Sequence, residues 1–569
     1  MGKTVIYQVF TRLFGNDNPH PVKGGTLAQN GSGHMADFTP EALEQIRGMG
    51  VTHVWYTGVI AHASQTDYSA FGLPQDHPAV VKGKAGSPYA IRDYYDIDPD
   101  LAESVPHRME EFEQLVERTH KAGMGVIIDF VPNHVARQYH STAAPEGVRD
   151  LGQDDDPTKA FSPANNFYYI PGKPFAPVFP VGDYTEQPAK ATGNDHFSAH
   201  PGVNDWYETV KLNYGVDYMG GRAGHFNPVP PTWHKMLHIL LYWAAKQVDG
   251  FRCDMAEMVP VAFWQWAIPQ VKEQHPHIVF IAEVYNPAEY RNYIFNGKFD
   301  YLYDKVGLYD TLRAVANGWI SAQNITFSWQ QVEGIRDHML NFLENHDEQR
   351  IASDFFGGDA RKGKAALIVS TLLHGNPMMV YFGQELGERG MDEEGFSGRD
   401  GRTTIFDYWT VDTIRRWRNG GRFSDSLLTA EEKQLRQFYS RVLNLCHTHE
   451  AVSRGDSFDL MYVNPHLQHQ YAFVRRTPGE CMLVVANFVD TDVCVPVCLP
   501  AHLFALYGIR GEEQAEWTDL LTGRSHITPW QPDATCTLNV PAYGGLVLCR
   551  QLPPSDEQQH HNQSIHNNI

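Results

Sequence analysis

The feature that most constrains this chain is a rhythm in which short β-branched or aromatic runs recur, separated by stretches with helical spacing. The runs are VIYQVF from Val5, THVWYTGVI from Thr52, MGVIIDFV from Met124, VDGFRCDM from Val248, IVFIAEVY from Ile278, FDYLYDK from Phe299, HMLNFLENHD from His338 and PMMVYFGQE from Pro377. Near-continuous apolar runs suit strands buried on both faces, and parallel strands need a crossover between them. MEEFEQLVERTHKAG has that character: Met109, Phe112, Leu115 and Val116 share one helical face and Gly123 supplies the stop. Repetition of strand and helix to eight predicts an α/β fold, a closed TIM (β/α)8 barrel.

Two breaks in the rhythm divide the chain. Roughly a hundred residues, rich in Pro, Gly, Asn and aromatics, separate the third run from WHKMLHILLYWAAKQ, far more than a usual βα loop. They predict an inserted domain over 135–230, which splits the barrel into 1–134 and 231–456. After EEKQLRQFYSRVLNLCHTH the pattern changes to short alternating runs such as CMLVVANFV, VCVPVCLP and LNVPAYGGLVLC. These predict a C-terminal antiparallel β-sandwich over 457–551. The tail, 552–569, lacks apolar anchors and is expected to be disordered.

Composition narrows the partners. With 46 Lys and Arg against 67 Asp and Glu the formal charge is −21, which disfavours a nucleic acid. No run of about eighteen apolar residues is present to span a membrane. The first residues, MGKTVIYQVF, carry no signal-peptide pattern, so a cytoplasmic location is expected. Seven cysteines without C-x-x-C spacing argue against a disulfide framework or a zinc site. Cys253, beside Asp254, is expected to point away from it, because strand neighbours face opposite sides.

In a parallel barrel the residues that end the strands converge at one mouth. The third run ends in Asp129-Phe130-Val131-Pro132-Asn133-His134 and the fourth in Gly250-Phe251-Arg252-Cys253-Asp254. The fifth ends in Ala282-Glu283-Val284 and the seventh in Glu344-Asn345-His346-Asp347. One acidic residue at a strand end is ordinarily a cap or a solvated loop residue. Several in order, each at the proper end, mark a site.

The set DFVPNH, GFRCD, AEV and FLENHD, with SPYAIRDYYDIDP from Ser87 and GNPMMVYFGQE at the eighth run, resembles glycoside hydrolase family 13, the α-amylase family, over about 550 residues. The resemblance implies a retaining enzyme that cleaves α-1,4-glucosidic bonds of malto-oligosaccharides or starch. It makes Asp254 the nucleophile, Glu283 the acid and base, and Asp347 the group that binds the 2- and 3-hydroxyls of the sugar being cut. Arg252, two residues before Asp254 and so on the same strand face, would hold that carboxylate. His134 and His346 would grip sugar hydroxyls, Tyr89 would stack on the ring, and Arg350 would reach the next sugar. Asp93 matches a position usually paired with arginine.

Two departures qualify the substrate. Many α-amylases carry a Lys-His pair three and four residues after the nucleophile, whereas this chain has Glu257 and Met258. Many relatives bind calcium through the third-strand Asn, here Asn133, and an Asp at the end of the inserted domain. The best match to that Asp is Lys211, so no metal or other cofactor is expected, with calcium at Asn133 as the alternative. The expected partner is an α-glucan. The alternatives are a transglycosylase, a cyclodextrin- or pullulan-degrading enzyme, and a noncatalytic carbohydrate-binding or transporter-associated barrel.

Overall fold

The computed structural model describes residues 2–552, so the tail from 553 onward lies outside the described residues. Each of the eight runs forms a barrel strand. They are β1 (Val5–Phe10), β2 (His53–Thr57), β3 (Gly125–Phe130), β4 (Gly250–Cys253), β5 (Val279–Ala282), β6 (Tyr301–Tyr303), β7 (Met339–Phe342) and β8 (Met378–Tyr381). All pairings are parallel and follow chain order, and β8 closes onto β1. The second run is shorter than its apolar length suggested. It turns at Gly58, and Ile60–His62 pairs instead with Ile91–Ile97 outside the barrel.

Register sets the site. Cys253 lies level with Ala282 on β5 and with Phe130 on β3, so Asp254 and Glu283 each fall one step beyond their strands, at the mouth. Cys253 is fully buried and unpaired, on the opposite strand face from Arg252 and Asp254.

The crossover helix Arg108–Lys121 buries Phe112, Leu115, Val116 and Thr119, as its spacing predicts, while Met109 is half-buried at the edge of that stripe. Helix Gly363–Leu372 is buried almost all round, because it packs against the barrel on one side and the C-terminal sheet on the other. Burying Leu367, Ile368 and Leu372 there contributes roughly 1.5–3 kcal/mol each.

The insert is clamped where it leaves and rejoins the barrel: His134–Ala136 pairs antiparallel with Thr209–Lys211, with His134 opposite Lys211. Its own core is small, built from Phe175, Ala189 and Ala199 with Val80 of the β2 loop. Arg137 braces it, paired to Glu186 at 2.7 Å and lying 4.0 Å over the Phe175 ring.

The C-terminal unit begins at Asp456. Its six-stranded antiparallel sheet runs in the order Asp456–Asp459, Gln470–Arg476, Glu480–Asn487, Gly544–Gln551, Glu512–Asp519, Ser525–Trp530, accompanied by a ribbon of Val493–Cys498 and Thr535–Val540. Thr535–Val540 alternates exposed and buried residues, as a strand with one covered face must. Glu480–Asn487 is buried throughout, because helix Gly363–Leu372 covers its second face. Among the described residues no helix is long and apolar enough to cross a membrane.

Candidate active site

At the barrel mouth a cavity of about 160 Å³ is lined by Tyr89, His134, Asp254, Glu283, His346 and Asp347, all named from the sequence. Loops complete it. Lys82, Ser87, Trp206, Glu208, Thr209, Met255, Phe396, Ile405 and Phe406 form the remaining wall, and sequence reasoning singled out none of them.

Beneath the cavity, wholly buried, lies Arg252. Its Nη1 is 2.8 Å from Asp254 Oδ1 and 3.2 Å from Asp129 Oδ1, and its Nη2 is 2.8 Å from Glu283 Oε2. Nε donates to Tyr303 Oη at 3.1 Å. Arg252 therefore organises the carboxylates from below and does not line the cavity. Asp129, part of a quoted strand end but given no role there, also accepts from Trp55 Nε1 at 2.9 Å.

Glu283 is held on both oxygens. Tyr285 Oη donates to Oε1 at 2.6 Å, and the Met255 backbone N–H donates to Oε2 at 2.8 Å. Met255 adopts φ 44, a left-handed conformation that costs a non-glycine residue about 1–3 kcal/mol, and in it the N–H after the nucleophile faces the acid. Tyr285 stands two residues past Glu283, a spacing that gave a signal for its role. Its hydroxyl can donate to the ionised acid and accept from the protonated one.

Charge in the site is unbalanced. Asp129, Asp254 and Glu283 face one guanidinium, Arg252, while Asp347 feels both Arg252 and Arg402, and the nearby histidines are neutral. Burial pushes Asp254 well above the usual carboxylate range; Arg252 opposes this, while Glu283, Asp129 and Asp347 reinforce it. Asp347 is raised by burial and by Glu283, and burial lifts Asp129 to about 6. Burial and Arg252 hold His346 well below its ordinary value, and burial with Lys211 holds His134 at about 3. Burial and mutual repulsion thus raise Asp254, Asp347 and Asp129 together.

His346 links the site to the core. Gln8 Nε2 lies 2.9 Å from its Nδ1, so with that amide donating, Nε2 carries the proton between Tyr89 Oη at 2.7 Å and Asp347 Oδ2 at 3.2 Å. Tyr89 stacks on the His346 ring with centroids 5.2 Å apart, presenting a flat surface to the cavity.

Two expectations are corrected. Arg350 does not reach toward a sugar: it is fully buried and spent on Glu344 at 2.9 Å, the Phe382 carbonyl at 2.9 Å and Thr403 Oγ1. Among the described residues Asp93 has no arginine partner; it accepts from Ser141 Oγ, Thr142 N and Ala143 N, and so anchors the start of the insert. Its neighbour Arg92 pairs instead with Asp76 at 3.2 Å.

Where relatives hold calcium, the Lys211 ammonium donates to Asn133 Oδ1, lies 2.7 Å from Asp195 Oδ1 and reaches the Met258 carbonyl at 3.3 Å. Asn133 Nδ2 donates to Gly193 O at 2.8 Å. These oxygens already surround one buried cation, so they do not fit a second. Glu257 accepts from the Asn286 N–H at 3.1 Å, beside the strand end that carries Glu283.

A family model described as alpha amylase, catalytic domain, matches residues 8–418. Neopullulanase 2 of Thermoactinomyces vulgaris is 22% identical over 563 residues, covering 96% of this chain and 77% of the relative. A cyclomaltodextrinase of Geobacillus thermopakistaniensis is 20% identical, covering 96% and 76%. Among solved structures, an α-amylase from Geobacillus thermoleovorans complexed with acarbose superposes with a TM-score of 0.63 at 18% identity, over 97% of this chain and 99% of that one.

Proposed function

Because this chain belongs to the α-amylase family, we propose that it is a retaining glycoside hydrolase that cleaves α-1,4-glucosidic bonds of malto-oligosaccharides or starch by double displacement. The observation that carries this reading is Arg252 holding Asp254 and Glu283 on its two terminal nitrogens, beneath a cavity rimmed by Tyr89, His134, His346 and Asp347. Sharing one guanidinium keeps the two carboxyl groups near each other, which favours the retaining arrangement, with carboxyls about 5–5.5 Å apart, over the wider inverting one.

In the first step Asp254 attacks the anomeric carbon, the glycosidic C–O bond breaks, and the departing oxygen takes the proton of Glu283. The result is a glycosyl ester of Asp254 and an ionised Glu283, whose charge Tyr285, Met255 N–H and Arg252 stabilise. In the second step Glu283 takes a proton from water, the water oxygen attacks the same carbon, and Asp254 leaves as carboxylate. Asp347 hydrogen-bonds the 2- and 3-hydroxyls, and neutral His134 and His346 complete the hold on the ring.

Product analysis with maltoheptaose tests the reading. Shorter malto-oligosaccharides and glucose, formed without added phosphate, are expected; mainly longer or branched products would assign a transferase. A second reading, a preference for cyclodextrins or pullulan, draws support from the names of the two curated relatives and from Glu257 on the acceptor side. Rates on β-cyclodextrin and pullulan relative to maltoheptaose decide it. We further propose that Lys211 replaces calcium beside Asn133, so that chelator leaves activity unchanged.

A further inference from the structure

The lining of the cavity contains two groups of residues of different chemistry. Glu283, gripped by Met255 and Tyr285, protonates the leaving oxygen and so marks the side of the departing chain. The other group of lining residues is Lys82, Glu208, Phe396 and Phe406, contributed by loops far apart in the chain. Burial holds the Glu208 carboxyl above its usual range, opposed by the charges of Lys82 and Arg137.

The loops that carry this second group form a fixed wall. Lys84 N donates to Asp407 Oδ1 at 3.0 Å, and Ala85 N and Gly86 N donate to the Phe406 carbonyl at 3.0 and 3.1 Å. The approach is so close that a Cβ on Gly83 would lie 2.2 Å from the Phe406 carbonyl oxygen, and one on Gly86 1.7 Å from that of Ala63. Both glycines also have positive φ, 72 and 81, so the loop needs them on two counts. Phe396 meets Phe406 edge to face at 5.0 Å, and Lys82 Nζ lies 4.7 Å over the Phe406 ring.

Glu208 faces this wall from the insert. It is 5% exposed, and among the described residues its buried Oε2 has no hydrogen-bond partner. An unpaired buried carboxylate oxygen costs about 1–3 kcal/mol or more, a cost that a hydroxyl brought by substrate removes. The cavity, about 160 Å³, is well below the roughly 300 Å³ of small drug-sized sites and has room for one hexose ring.

We infer that the site is a blind pocket for a single terminal glucosyl unit: Glu208, with Lys82 beside it, binds the hydroxyls of the non-reducing end, and the enzyme removes glucose one unit at a time from chain ends. The inference rests on the leading reading, hydrolysis of α-1,4-glucosidic bonds in malto-oligosaccharides, and stands against the cyclodextrin reading. It excludes chains that run on past the sugar being cut, and rings such as β-cyclodextrin, which have no end to offer.

The test compares 4-nitrophenyl maltoheptaoside with the same compound bearing a 4,6-ethylidene group on its non-reducing terminal sugar. The wild-type enzyme is expected to release glucose as the first product from the free compound and to turn over the blocked one at least a hundredfold more slowly. Equal rates on the two, or maltose and longer fragments as first products, would overturn the pocket. Failure on both would instead count against the α-glucosidic reading itself. Glu208→Gln and Lys82→Met add a second readout: kcat/KM on the free compound is expected to fall tenfold or more, chiefly through KM. Unchanged KM in both folded variants would remove these residues from substrate binding.

Discussion

At Glu283 the geometry separates two kinds of substrate. Its proton is needed by a sugar leaving group but hardly by 4-nitrophenolate, which leaves unaided. Glu283→Gln should therefore lower kcat on maltoheptaose by about 10²–10⁴, the usual worth of a general acid, and lower the bond-breaking step on an activated aryl glucoside far less. Equal losses in single-turnover measurements on both substrates would remove Glu283 from proton transfer. Asp254 has a different dependence, since it must be ionised to attack. Burial and three neighbouring carboxylates hold it above the usual range, so kcat/KM should fall on its acid side at a pH above that of an ordinary aspartate. Asp347 is one of those neighbours. Neutralising it in Asp347→Asn removes an interaction that disfavours the ionised nucleophile, so the acid limb of the residual activity should move to lower pH. An unmoved or raised limb would show that the two groups do not share the titration.

Elements bring these residues together, and the ladder between His134–Ala136 and Thr209–Lys211 ties the two ends of the insert to each other. Lys211 is buried at its end, between Asn133 and Asp195. Lys211→Met leaves Asp195 without its cation and should cost about 3–5 kcal/mol in unfolding free energy. Lys211→Asp should have a different outcome. A carboxylate among Asn133, Asp195 and the Met258 carbonyl makes an oxygen set suited to calcium, so added calcium should raise the Tm of this variant and leave the parent's unchanged. A calcium-dependent Tm in the parent would refute the role of Lys211.

The same scale explains what could be read in advance. The eight strands and the carboxylates that end them were legible because a buried parallel strand writes itself as one apolar run and the functional residue follows at its end. Tyr285 was legible in principle by spacing. Arg350 was misread because position after Asp347 does not reveal which way a loop residue turns, and here Glu344, six residues back, captures it. Lys82, Glu208 and Phe406 come from three loops with no periodicity, and only tertiary structure brings them to one wall.

Across the whole molecule, the C-terminal sheet has a mechanical task. Helix Gly363–Leu372 lies between it and the barrel, and Arg475 fixes the joint by donating to the carbonyls of Leu373, Ala451 and Val452. A chain ending at 455 would expose one face of that helix, an apolar surface with no covering partner. Such a truncation is expected to be insoluble or to bind a hydrophobic dye strongly. A soluble, fully active truncated barrel would contradict a structural role for the sheet. Barrel, insert and sheet thus serve one arrangement, in which Asp254 and Glu283 share Arg252 beneath a small cavity. The most direct test of that arrangement is the configuration of the newly formed anomeric centre, followed by proton NMR in the first moments of maltoheptaose cleavage, before mutarotation. Two displacements through Asp254 predict that the α-anomer appears first; initial release of the β-anomer would contradict the account.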